Sequence, residues 1–209
     1  MSVDALFNTT MALRQRILAA GQPNRVYVGA PVAAEVGDAE VSLALFDIHP
    51  SAALRNTPGY APPPSKGPVT GPAAPIESIA LELRYLISCY RKGGVGDPVA
   101  FPNELARLGR IIASLHADPV LSIAAEPAPG SGPAESDAAL AEQIVRLSLE
   151  SYGLDDWSRL WGMFGESPLR ASVVYLASPV YVTAGESRAL PRVRSRRLDD
   201  GLLAEPGTP

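Results

Sequence analysis

Four groups of residues in this chain could do chemistry by type and spacing. Arg91-Lys92-Gly93-Gly94-Val95-Gly96-Asp97 is a glycine-rich run behind an apolar segment, the setting in which backbone N–H groups cradle a phosphate. Its lysine precedes the glycines, and no Gly-Lys-Ser/Thr opens a helix after them, so the run reads as a turn. His49 and His116 are the two histidines. Neither has a cysteine, histidine or carboxylate at metal-ligand spacing, and no serine sits in a nucleophile-elbow context that could use either as a base. Asp155 and Asp156 are adjacent in sequence, so on a helix they diverge and cannot oppose each other as acid and base. They suit a first helical turn, where the dipole favours negative charge. Cys89 is the single cysteine; it lies in an apolar run with no cationic neighbour to activate it, and reads as an inert core thiol. No catalytic, cofactor-binding or metal-binding residue is therefore assigned, and no cofactor is expected.

Two further groups could bind rather than catalyse. Trp157, Leu160, Trp161 and Phe164 recur at i, i+3, i+4 and i+7. Such a stripe could stack on a ligand, but at helical spacing it reads first as core. Arg188, Arg192, Arg194, Arg196 and Arg197 concentrate positive charge near the end of the sequence. They could dock on an acidic protein surface, although Asp199, Asp200 and Glu205 partly offset them. With a net charge of −4 over the whole chain, nucleic acid is not an expected partner.

The elements that must position these residues follow from periodicity. Leu6, Thr10, Leu13 and Ile17 mark one face of a helix over 4–20, with Ser2 as N-cap and Gly21 and Pro23 as its stop. Strands are predicted over 25–28 and 40–48. The second should be covered on both faces, because Phe46 and Ile48 break its alternation. From 79 to 90 the ladder is the clearest in the chain: Ile79, Leu81, Leu83, Tyr85, Ile87 and Cys89 on one face, Glu82, Arg84, Ser88 and Tyr90 largely on the other. A helix follows to His116, with Leu105, Leu108, Ile112 and Leu115 as its buried stripe, Arg107 and Arg110 facing outward, and Asp118-Pro119 ending it. Val145, Leu147 and Leu149 alternate along the next strand; then come the aromatic helix and a last strand over 172–182.

Two spans interrupt this pattern. Seven prolines and three glycines between 58 and 75 exclude helix and interior strand, so 50–76 reads as a surface excursion. A second polar loop spans 126–137. The expected organisation is one α+β domain over 1–183, a mixed, mostly antiparallel sheet flanked by helices, followed by an arginine-rich, unpacked tail over 184–209. An apolar fraction of 46% over 209 residues can build a core without disulfides or metal. The first residues form neither a signal peptide nor an anchor, so folding in the cytoplasm and no membrane contact are expected.

Taken together, Leu81-Glu-Leu-Arg-Tyr-Leu-Ile-Ser-Cys-Tyr90, Glu104-Leu-Ala-Arg-Leu-Gly-Arg-Ile-Ile112, Leu160-Trp161 and Arg170-Ala-Ser-Val-Val-Tyr175 running into Ser178-Pro-Val180 resemble the tail-terminator (cap) family of extracellular contractile injection systems. These are the phage-tail-like particles of the Photorhabdus virulence cassette and antifeeding prophage type. The resemblance covers 3–182 and rests on order and spacing, since each segment is a packing motif. It implies a phage tail-terminator-like fold and a non-enzymatic role: a homohexameric ring that ends tube and sheath polymerisation. Its partners would be copies of itself and sheath and inner-tube subunits, with no small-molecule substrate, assembled in the cytoplasm into a particle that can leave the cell. A baseplate, neck or cargo adaptor of the same kind of particle is the alternative, and a small hydrolase or nucleotide-binding enzyme a remote one. Some relatives carry a further C-terminal domain where this chain has only the arginine-rich tail.

Overall fold

The computed structural model describes residues 4–21, 23–54, 78–90, 100–124, 142–165 and 169–183. The Ser2 cap, the Pro-rich excursion between 55 and 77, the 91–97 glycine run, the 126–137 loop and the 184–209 tail lie outside them. Among the described residues the chain forms α1 (Ala5–Gly21), β1 (Val26–Val28), α2 (Ala33–Val36), β2 (Val41–Pro50), β3 (Ser78–Cys89), α3 (Ala100–Ala117), β4 (Val120–Ala124), β5 (Glu142–Glu150), α4 (Leu154–Gly162) and β6 (Ser172–Thr183). The strands make one six-stranded sheet in the order β1-β2-β3-β6-β5-β4. The β1–β2 pair is parallel and every other pair antiparallel, so the α+β expectation of a mostly antiparallel mixed sheet holds.

The longest antiparallel pairings set the centre of the sheet. Leu83, Tyr85, Ile87 and Cys89 of β3 project into the main core, as their alternation predicts. They meet Val41 and Leu43 of β2, Tyr175 and Ala177 of β6, and Leu13 and Ile17 of α1. Ile79 departs from the ladder: it is 58% exposed, while Ala80 beside it is buried. Between Leu81 and Leu83 the register with β6 slips, with the extra residue on β6, so Leu81 still packs against the main core and the burial of the ladder ends short of Ile79. A second slip, between Leu45 and Asp47, explains why Phe46 and Ile48 disturb the alternation of β2. One inserted residue reverses the parity beyond it; only Val41–Ala44 is buried on both faces, and Ile48 is 47% exposed.

α1 and α3 cover the main core from one side. Thr9 and Thr10 return their hydroxyls to the carbonyls of Ala5 and Leu6, which lets two polar side chains sit inside. The Thr10 hydroxyl is also 2.8 Å from the Tyr85 phenol, joining α1 to β3. Gly21 lies so close to α3 that a Cβ there would come within 2.9 Å of Ile111, so the helix crossing requires a glycine. Both edge strands, β1 and β4, touch α1, because the sheet curls around it.

Three sequence expectations are corrected here. The buried stripe of α3 is Glu104, Leu108, Ile111 and Leu115, rotated from the expected one; Leu105 is 45% exposed. Arg107 accordingly faces inward, not outward, and pairs with buried Glu40 at 3.0 Å. Both stripes share Leu108 and Leu115, and side-chain polarity alone selects Leu105 over Glu104. Oε1 of Glu104 accepts the Ala171 N–H at 3.4 Å, while Oε2 is buried without a partner among the described residues. Two elements were also missed: the four-residue α2, and β4, whose Leu121 and Ile123 are buried at period two directly behind Asp118-Pro119. Finally, Leu149 is 55% exposed although Val145 and Leu147 of the same alternation are buried.

Candidate interaction surfaces

The face of the sheet opposite α1 and α3 is half apolar and half charged. On the apolar half, α4 packs Leu160 and Trp161 onto Ala44, Leu86 and Val174, with Trp157, Phe164, Phe46 and Tyr152 around them. The aromatic stripe is thus core, with Trp161 and Phe164 edge-on at 6.0 Å and Phe46 and Tyr152 at 6.4 Å. Asp155 and Asp156 occupy the first turn of α4, exposed, as helix-dipole charge requires.

The charged half is built on Arg84. Its position on β3 sets it opposite Asp47 of β2 and, across β6, within reach of Glu150 on β5. Nε and Nη2 of Arg84 donate to the two oxygens of Glu150 at 2.7 and 3.2 Å, and Nη1 donates to Asp47 at 2.7 Å. The Glu150 hydrogen bond is the largest cause raising the Arg84 pKa, against an opposing burial effect. His49 sits beside this clamp, with Nε2 3.1 Å from Glu82 and Nδ1 3.1 Å from Nη1 of Arg84. Glu82 and Arg84 were legible as an outward face; their partners, tens of residues away, were not. The arrangement ties β2, β3 and β5 together across β6. Among the described residues the imidazole's close contacts are with Asp47, Glu82 and Arg84.

The other candidates fall apart as a site. His116 is exposed in the last turn of α3, with the helix between it and His49's face of the sheet. Cys89 is fully buried, and burial, opposed mainly by nearby Arg107, pushes its thiol up to about 12. Among the described residues no cluster of His, Cys, Asp and Glu could hold a metal ion. No helix among them is long and apolar enough to cross a membrane. A shallow groove of about 570 Å³ runs beside β1, walled by Met11, Arg14, Arg25, Tyr27, Glu35 and Asp38. There the Tyr27 hydroxyl donates to Glu35 at 2.9 Å, and that carboxylate holds the phenol above its ordinary pKa. The groove's walls include no serine, cysteine or histidine.

The model of the Pvc16 N-terminal domain family matches residues 8–195. Among solved structures, the PVC sheath/tube terminator of an extracellular contractile injection system, in its extended state, is similar to this chain with a TM-score of 0.55 at 16% identity. The likeness covers 95% of this chain and 65% of that one. The tube-terminating cap of the anti-feeding prophage is similar at a TM-score of 0.49 and 15% identity, over 95% of this chain and 61% of that one. The chain therefore spans less than two thirds of the length of either protein. No curated protein matches it.

Proposed function

The chain belongs to the Pvc16 N-terminal domain family, and from that premise we propose that it is a non-enzymatic cap subunit that terminates the tail of a contractile injection particle. The observation that carries this reading is the family match over nearly the whole described fold. The shared fold with a sheath/tube terminator agrees with it.

In this reading six copies close a ring on the end of the tail, and the ring stops further addition of tube and sheath subunits. Closure needs head-to-tail contacts, so each subunit presents two different patches, on the order of 800 Å² each. Sheath and inner-tube subunits are the other partners, and residues 184–209 form an arm beyond the domain over 1–183. Assembly takes place in the cytoplasm before the particle leaves the cell. A rigid sheet laced on one face and packed by helices on the other suits a part that must hold its shape under contraction.

Negative-stain microscopy of the purified chain, alone and mixed with sheath and tube subunits, tests the proposal. Six-fold rings of constant diameter, or labelled density at one end of the particle, are expected. A strict monomer that joins neither tube nor sheath would overturn it. Density at the baseplate end would assign the chain to an adaptor instead.

A further inference from the structure

Among the described residues, each free edge of the sheet carries a guanidinium from α1. On β4, the Leu147 N–H donates to the Pro119 carbonyl at 2.7 Å, and Leu121 and Ile123 stand opposite Val145 and Gln143. In an antiparallel ladder these alternate residues turn their backbone groups to the partner strand. The groups of Val120, Ser122 and Ala124 therefore turn outward, to where another strand could add. Nη2 of Arg16 already donates to the Val120 carbonyl at 2.9 Å, and Nη1 is held by the Asp118 carboxylate at 2.6 Å.

The opposite edge repeats the device. Gly29 donates its N–H to Leu43 of β2 at 3.0 Å, so by the parallel register Tyr27 faces β2 and Val26 and Val28 face outward. The outward Val26 carbonyl accepts from Nε of Arg14 at 3.3 Å. Residues two apart on a helix point roughly 200° apart. That spacing sends the two arginines to opposite edges of a sheet curled around the helix that bears them. Free edges are the places where sheets join between copies, and charged side chains and short strands are the usual protection.

We propose that Arg14 and Arg16 are edge guards, which keep a second copy of this chain from adding to the sheet at β1 or β4. Copies of the chain then associate without merging their sheets. The inference stands on the fold and does not depend on whether the assembly is a six-membered ring.

The test uses the full chain, with Arg16→Ala and the double variant R14A/R16A, circular dichroism to establish folding, sedimentation over a concentration series, and amide hydrogen exchange at Ser122 and Val28. Relative to whatever wild type forms, Arg16→Ala bares β4 alone and should pair copies two by two. The double variant bares both edges and should grow into open-ended species. On that association the outward Ser122 and Val28 amides should exchange at least about tenfold more slowly, as hydrogen-bonded strand amides do. In wild type their exchange should not change with concentration. Folded variants that sediment like wild type would overturn the proposal. So would slowed exchange at Ser122 or Val28 when wild type itself associates, a measurement that decides even where the double variant does not fold.

Discussion

Trp161→Ala tests whether the aromatic stripe of α4 is core or a binding face. Trp161 is 6% exposed and seated on Ala44, Leu86 and Val174. A tryptophan buries on the order of 200 Å², which at ~25 cal/mol per Å² sets an upper bound near 5 kcal/mol. Truncation of a buried Trp to Ala costs about 3–5 kcal/mol, and the cluster here is small and able to close, which favours the lower part of that range. In a domain of this size the melting temperature should fall by about 6–20 °C. The indole N–H supplies an internal control, because among the described residues it is buried without a hydrogen-bond partner. An orphaned buried donor costs about 1–3 kcal/mol, so Trp161→Phe removes a penalty along with some area and should stay within about 1.5 kcal/mol of wild type. Thermal and urea denaturation of both variants give the comparison. A wild-type melting temperature for Trp161→Ala would refute the packing argument and make the stripe a contact surface. Phenylalanine as damaging as alanine would show that the indole N–H is bonded.

Tyr85→Phe should cost about 0.5–1.5 kcal/mol, since the Thr10 hydroxyl keeps its bond to the Leu6 carbonyl when the phenol is removed. Burial pushes Tyr85 up to about 12, so the folded state keeps a proton that the unfolded chain loses near pH 10. Its contribution is complete below pH 10 and is lost as pH rises towards 12; denaturation across that window should show a flatter decline for Tyr85→Phe than for wild type. Arg107→Ala removes the 3.0 Å ion pair to the Glu40 carboxylate, which is 7% exposed, and should cost about 1.5–3 kcal/mol. E40Q/R107M should recover part of that loss while the Gln oxygen still accepts the Asn24 N–H, and a loss below about 1 kcal/mol for Arg107→Ala alone would return Arg107 to the solvent face.

The alternation from Leu83 to Cys89 and the 3.6-residue spacing of Trp157, Leu160 and Trp161 could be read directly because each is a local pattern with one apolar solution. The family resemblance joined these packing segments in order. So far as a site exists here, though, its parts were hidden in single-residue choices. Leu105 and Glu104 lie one position apart, and the packing of α3 against α1 and β3 is what turns the acid inside, where it meets the Ala171 N–H. β4 could have been found from Leu121 and Ile123 at period two, had its brevity and its place behind a helix end not masked it.

What the sequence by itself determined is the set of elements with strong periodicity, the inert setting of Cys89 and the class of the fold, because these depend on near neighbours along the chain. Only the tertiary structure decided which carboxylates meet Arg84, which way Arg107 points and which edge each α1 arginine guards. Those outcomes depend on register, and a single bulge at Leu45–Asp47 sets which face every later β2 side chain occupies. Cross-strand partners such as Asp47 and Glu150 are brought together by pairing across dozens of residues, for which no local spacing in the sequence is a signal.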